Sequence, residues 1–117
     1  MLAVAVAIGQ PRLAELEQKA AAAKARGDAA AALHFWEQAE TIEPRSARVQ
    51  DEIGFLLAVM NRRPEALQRF SRALEFDPKF APAHYHLGVA YWLANDPAEA
   101  IPHLQSAAAA DPKGLAR

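Results

Sequence analysis

Apolar residues along this chain recur at the three- and four-residue spacing of α-helices, and the pattern then repeats itself. Between positions 81 and 114, Leu87, Gly88 and Tyr91 share one helix face with His84. Further on, Ala100, Leu104 and Ala107 share another. Between the two faces lies Asn95-Asp96-Pro97-Ala98-Glu99. Asp96 suits a helix N-cap, Pro97 the first helical position, and Glu99 the far member of a capping box. The stretch therefore predicts two antiparallel helices joined by a tight turn. Small Gly88 and Ala100 would let the two backbones approach, with Leu87, Tyr91 and Leu104 filling the remaining space.

The same layout returns every 34 residues, marked by Pro44, Pro78 and Pro112. Four more columns keep that step: Ala32, Ala66 and Ala100; Trp36, Phe70 and Leu104; Ala39, Ala73 and Ala107; Ala20, Gly54 and Gly88. Gly27-Asp28 and Asn61 to Pro64 mark the equivalent turns, and each closing proline stops a second helix. Three helix pairs follow, at 13–46, 47–80 and 81–114. Composition agrees, since 29 of the 117 residues are alanine and β-branched residues are few. The expected class is all-α. Pro102 falls inside a predicted helix, where a slight bend is expected.

The ends read as incomplete. Stepping back 34 from Trp36, Ala39 and Ile42 lands on Leu2, Ala5 and Ile8, so 1–12 resembles the tail of a preceding second helix, with Pro11 one residue late. Met1 to Ile8 is too short, and lacks the positive flank, to be a signal peptide. Residues 115–117 form a stub where a fourth unit would begin. The expectation is an excerpt of a longer array, or a chain that covers its open ends by self-association.

These columns resemble the tetratricopeptide repeat family, whose pattern runs aromatic, Leu-Gly, Tyr, then Ala, aromatic, Ala and Pro. The third unit matches at Leu87, Gly88, Tyr91, Ala100, Ala107 and Pro112, with His84 and Leu104 in the aromatic places. The second matches at Gly54, Ala66, Phe70, Ala73 and Pro78, with Ile53 and Leu57 as apolar substitutes. The first is weaker: Lys19 and Ala23 replace the Leu and Tyr, while Ala20, Ala32, Ala39 and Pro44 hold. The resemblance spans residues 13–114 and implies a right-handed superhelical solenoid of antiparallel helix pairs. It also implies a non-catalytic scaffold that binds a partner peptide or helix in a concave groove, the alternatives being a self-associating structural module or a non-catalytic appendage of a larger enzyme. A fold alone names no partner.

The first helices of the pairs would line that groove. On the third, Tyr85, Val89 and Trp92 lie about 100° around from the packing face. The same offset gives Asp51, Phe55 and Ala58 on the second, flanked by Arg48, Glu52 and Val59, and Glu17, Ala21 and Lys24 on the first. The expected binding residues are therefore Arg48, Asp51, Glu52, Phe55, Tyr85, Val89 and Trp92, with the aromatics as anchors and the charges setting orientation. Some relatives grip a partner's terminal carboxylate with lysines and asparagines. Glu17, Ala21, Glu52, Pro82 and His86 stand at those places here, so capture of that kind is not expected.

Charge and chemistry exclude more than they add. A net charge of -1 offers no basic surface for nucleic acid, and no apolar run is long enough to span a membrane. With zero cysteines there is neither a disulfide framework nor a thiolate metal site, and the compartment stays open, with a cytoplasmic one favoured. His84 and His86 point ~200° apart on one helix and cannot share an ion. His84 reads as a packing histidine, His34 and His103 as solvated ones. Thr41, Ser46, Ser71 and Ser106 form no triad with them, so neither an enzyme nor a cofactor or metal site is expected. Partners would be proteins or peptides, or further copies of the chain at its open repeat ends.

Overall fold

A computed structural model of the protein describes residues 12–110. The expected N-terminal partial helix, Pro11, Pro112 and the stub at 115–117 lie outside the described residues. Among the described residues six α-helices occur in order: α1 (Leu13–Ala25), α2 (Ala29–Ile42), α3 (Ala47–Val59), α4 (Arg63–Phe76), α5 (Ala81–Leu93) and α6 (Pro97–Ala110). First helices have 13 residues and second helices 14. Every boundary steps by 34 residues to its counterpart in the next hairpin. The array is drawn out, at 53 × 27 × 27 Å, and its radius of gyration of 15.6 Å exceeds the ~13 Å of a compact domain of this length.

The period is written into the backbone. Gly27, Asn61 and Asn95 each take a positive φ, of 76°, 62° and 60°, at the bend between first and second helix. That left-handed conformation is open to glycine and tolerated by asparagine, the residue types that occupy the column. One residue on, the amides of Asp28, Arg62 and Asp96 donate to the carbonyls of Ala23, Leu57 and Tyr91 at 2.8–2.9 Å, closing each first helix. Asp28 and Asp96 then cap the following helix, accepting from the Ala31 and Glu99 amides. Ser46 does the same for α3 through the Val49 amide. Helix α6 runs through Pro102 without a break.

Within a hairpin, small residues decide how closely the helices approach. A Cβ added at Gly54 would lie 2.6 Å from the Phe70 ring, and one at Gly88 2.5 Å from Leu104. Ala32, Ala39, Ala66, Ala73, Ala100 and Ala107, the alanine columns, are all buried. The bulky column is unequal: Trp36 and Phe70 are buried, whereas Leu104 is half-buried. The core passes from Leu16 through Ile53 and Leu56 to Leu87 as a continuous seam.

Candidate functional site

Where the second and third hairpins meet, the surface opens into a cleft of about 550 Å³. The C-terminal half of α3 supplies Phe55 and Ala58, α4 supplies Leu67 and Phe70, and α5 supplies Tyr85 and Val89. Arg63 and Asp96 add charge to the lining. A second hollow of about 340 Å³ adjoins it, walled by Tyr85, Val89, Trp92, Leu93 and Leu104. Tyr85, Val89 and Leu93 belong to both, so one apolar strip on α5 joins them. Tyr85 is 43%, Trp92 58% and Leu93 69% exposed, which is more large apolar surface than the repeat's own packing leaves elsewhere on this helix.

The sequence-based site splits in two. Phe55, Tyr85 and Val89 converge on the cleft, with Trp92 beside them. Of the charged members, Arg48 and Asp51 are engaged within the protein. Arg48 forms an ion pair with Glu17 and lies over the Trp36 ring, 5.3 Å from its centroid. The Glu17 hydrogen bond is the main cause holding its guanidinium further toward the charged form. Glu52, half-buried on α3, makes no hydrogen bond or ion pair among the described residues.

Asp51 departs most from its expected place. It is 4% exposed, and its Oδ1 lies 2.8 Å from Nδ1 of His86 on the neighbouring hairpin. It ties two hairpins together rather than facing a partner. The His86 ring that reaches it stacks on Phe70 at 5.1 Å and contacts Phe55 at 5.5 Å, so it forms part of the cleft's floor. From the first hairpin, Lys24 places its Nζ 4.5 Å from the Phe55 ring centroid.

His103 also differs from expectation. It is half-buried rather than solvated, with its Nδ1 3.1 Å from the Nδ1 of His84 and its ring stacked on Tyr91. Sequence reasoning missed this pair, and it missed the contribution of α4 to the cleft. The pair could have been found: its members stand 19 residues apart, like hydrogen-bonded Gln50 and Arg69 one repeat earlier. Among the described residues no group of three or more His, Cys, Asp or Glu side chains is placed to hold a metal ion. Nor is any of their helices long and apolar enough to cross a membrane.

Comparison with known proteins bears on the same architecture. A family model described as "Tetratricopeptide repeat" matches residues 54–114, more than half of the chain. A search of curated proteins finds no match. Among solved structures, the TPR2B domain of yeast Sti1, in its pHsp70 complex, superposes with a TM-score of 0.79 at 22% identity over 89% of this chain and 83% of that one. YrrB, described as a TPR protein with an unusual peptide-binding site, gives 0.77 at 22% over 95% and 57%. MamA gives 0.76 at 17% over 90% and 61%. The chain thus spans about three fifths of the length of MamA and YrrB. At such identities the likeness speaks for the fold.

Proposed function

The chain belongs to the tetratricopeptide repeat family, and from that premise we propose that it is a protein-interaction scaffold whose cleft receives an apolar segment of a partner. One observation carries the reading: an open cleft of about 550 Å³, lined mainly by apolar side chains, continues into exposed Tyr85, Trp92 and Leu93, while Asp51 beside it is already paired with His86. A cleft of this size takes one or two large side chains, and aromatics at its rim supply contact area at small entropic cost. The partner is therefore chosen by its apolar anchors. Phe55, Tyr85, Val89 and Trp92 bind; Arg48 and Asp51 hold the hairpins that present them.

Proteins of the same fold support this. YrrB carries a peptide-binding site by its description, and the Sti1 domain was solved in complex with pHsp70. The present chain differs from a carboxylate-gripping array, because Glu17 and Glu52 would repel an anionic tail. An extended or helical segment with aliphatic or aromatic residues fits instead.

Peptides selected from a displayed random library against the wild-type chain test the proposal. They are expected to share apolar anchors, and Tyr85→Ala and Trp92→Ala each to weaken them by ~1–3 kcal/mol with melting unchanged. A selection that never rises above background, or peptides indifferent to both substitutions, would overturn it.

A further inference from the structure

We propose that His84 and His103 form a two-point chelate for a divalent transition-metal ion of the zinc-to-copper class, separate from the partner cleft. The two imidazoles come from different helices of the third hairpin, α5 and α6, and face each other through Nδ1 atoms 3.1 Å apart. Two nitrogens bound to one tetrahedral ion by bonds of 2.0–2.1 Å lie about 3.3 Å apart. The nitrogens need separate by only a few tenths of an ångström, and the rings, with centroids 5.3 Å apart, turn so that both lone pairs converge on the ion.

Tautomer and orientation are already set on one side. Nε2 of His84 lies 2.8 Å from the carbonyl oxygen of Pro78. A carbonyl only accepts, so Nε2 carries the proton and Nδ1 keeps its lone pair. A ligating histidine is commonly oriented in this way, its other ring N–H held by a backbone carbonyl. On the other side, Tyr91 stacks on the His103 ring with planes 10° apart and fixes its tilt. Without an ion, His103 donates its Nδ1 proton to His84. On binding, that proton moves to Nε2 of His103, and both Nδ1 lone pairs go to the metal with no net proton change.

The charges around the pair are mixed. Both rings are half-buried, and Glu99 stands one turn before His103 on α6. Glu99 favours a cation; Lys79, in the hollow of about 350 Å³ beside His84, disfavours one. That hollow, also lined by Ser106, gives room for the waters that complete the coordination. With two protein ligands instead of three or four, binding is exchangeable and copper outranks zinc.

The preceding repeat shows why there is one such site. Stepping back 34 residues from His84 and His103 gives Gln50 and Arg69, which bond to each other and to Glu40 and offer no imidazole nitrogen to a metal. The first repeat has Leu16 and Phe35 at these positions. Only the third hairpin places imidazoles at both.

Calorimetric titration of tag-free full-length protein with zinc chloride and with copper chloride at neutral pH tests this. One ion per chain is expected, with affinity at least ~10-fold weaker in His84→Ala and in His103→Ala, and unchanged in His34→Ala. Since either alanine could loosen the hairpin, His103→Gln is the second variant, retaining a polar group at the position. Zinc should raise the melting temperature of the wild type and not of this variant. Absence of binding in the wild type, several ions per chain, or equal binding in all variants would each refute the chelate and leave a plain imidazole hydrogen bond.

Discussion

The junction between the first and second hairpins and the junction between the second and third use the same backbone step but hold differently. At the first, Glu40 on α2 accepts from both Gln50 on α3 and Arg69 on α4, and Arg48 pairs with Glu17 on α1. Several charged groups share the task, each partly wetted. At the second, Leu74 stands where the repeat step would place a second Glu40, and among the described residues His86 alone reaches across, to buried Asp51. The polar tie is narrower there, and the space beside it is the cleft. A scaffold that must present an opening does so where its hairpins are bridged by one group rather than by a network.

Substitutions can break this contrast in order of effect. His86→Ala should be the most damaging, at ~3 kcal/mol by urea denaturation, because Asp51 is left as a buried carboxylate without its partner. Adding Asp51→Asn to His86→Ala should recover part of that loss; no recovery would mean that the Phe55 and Phe70 contacts of the ring matter more than the charge. Glu40→Ala should follow at ~2 kcal/mol, since fully buried Gln50 loses an acceptor while Arg69 remains partly hydrated. Arg48→Ala should cost under ~1 kcal/mol, its side chain being 53% exposed.

A pH series sharpens the comparison within the third hairpin. Burial lowers the folded pKa of His103 below the ordinary 6.5, so the unfolded chain takes up a proton at higher pH than the folded one. The stability at stake is fully present above the unfolded value and is lost as pH falls from there toward the folded value. Melting followed from pH 7 downward should show this decline in the wild type and a shallower one in His103→Gln.

Much of the fold was legible because a repeat states its own register. Five columns at one interval set the hairpins, and Gly54 and Gly88 marked where helices touch, before any coordinate was known. The turn column Gly27, Asn61 and Asn95 could be read for the same reason. The site was only half legible. Angular position on a helix grouped Phe55, Tyr85, Val89 and Trp92, which do lie beside an opening, with Asp51, which is buried against His86. The offset from a packing face says which way a residue leaves the helix, and not whether a histidine on the next hairpin closes over it. His86 and Asp51 are 35 residues apart, and such pairs depend on rotamers and neighbours that periodicity does not encode.

The first and third hairpins share no contact among the described residues; each meets only the hairpin between them. Order in such a chain is passed on link by link, like a row of coupled switches, and no single nucleus has to form before the rest can follow. Hydrogen exchange should therefore reveal graded fraying, slowest in the middle pair and faster outward. A ligand seated between the second and third pairs would stiffen that coupling first, converting local occupancy into longer-lived order at one end of the molecule.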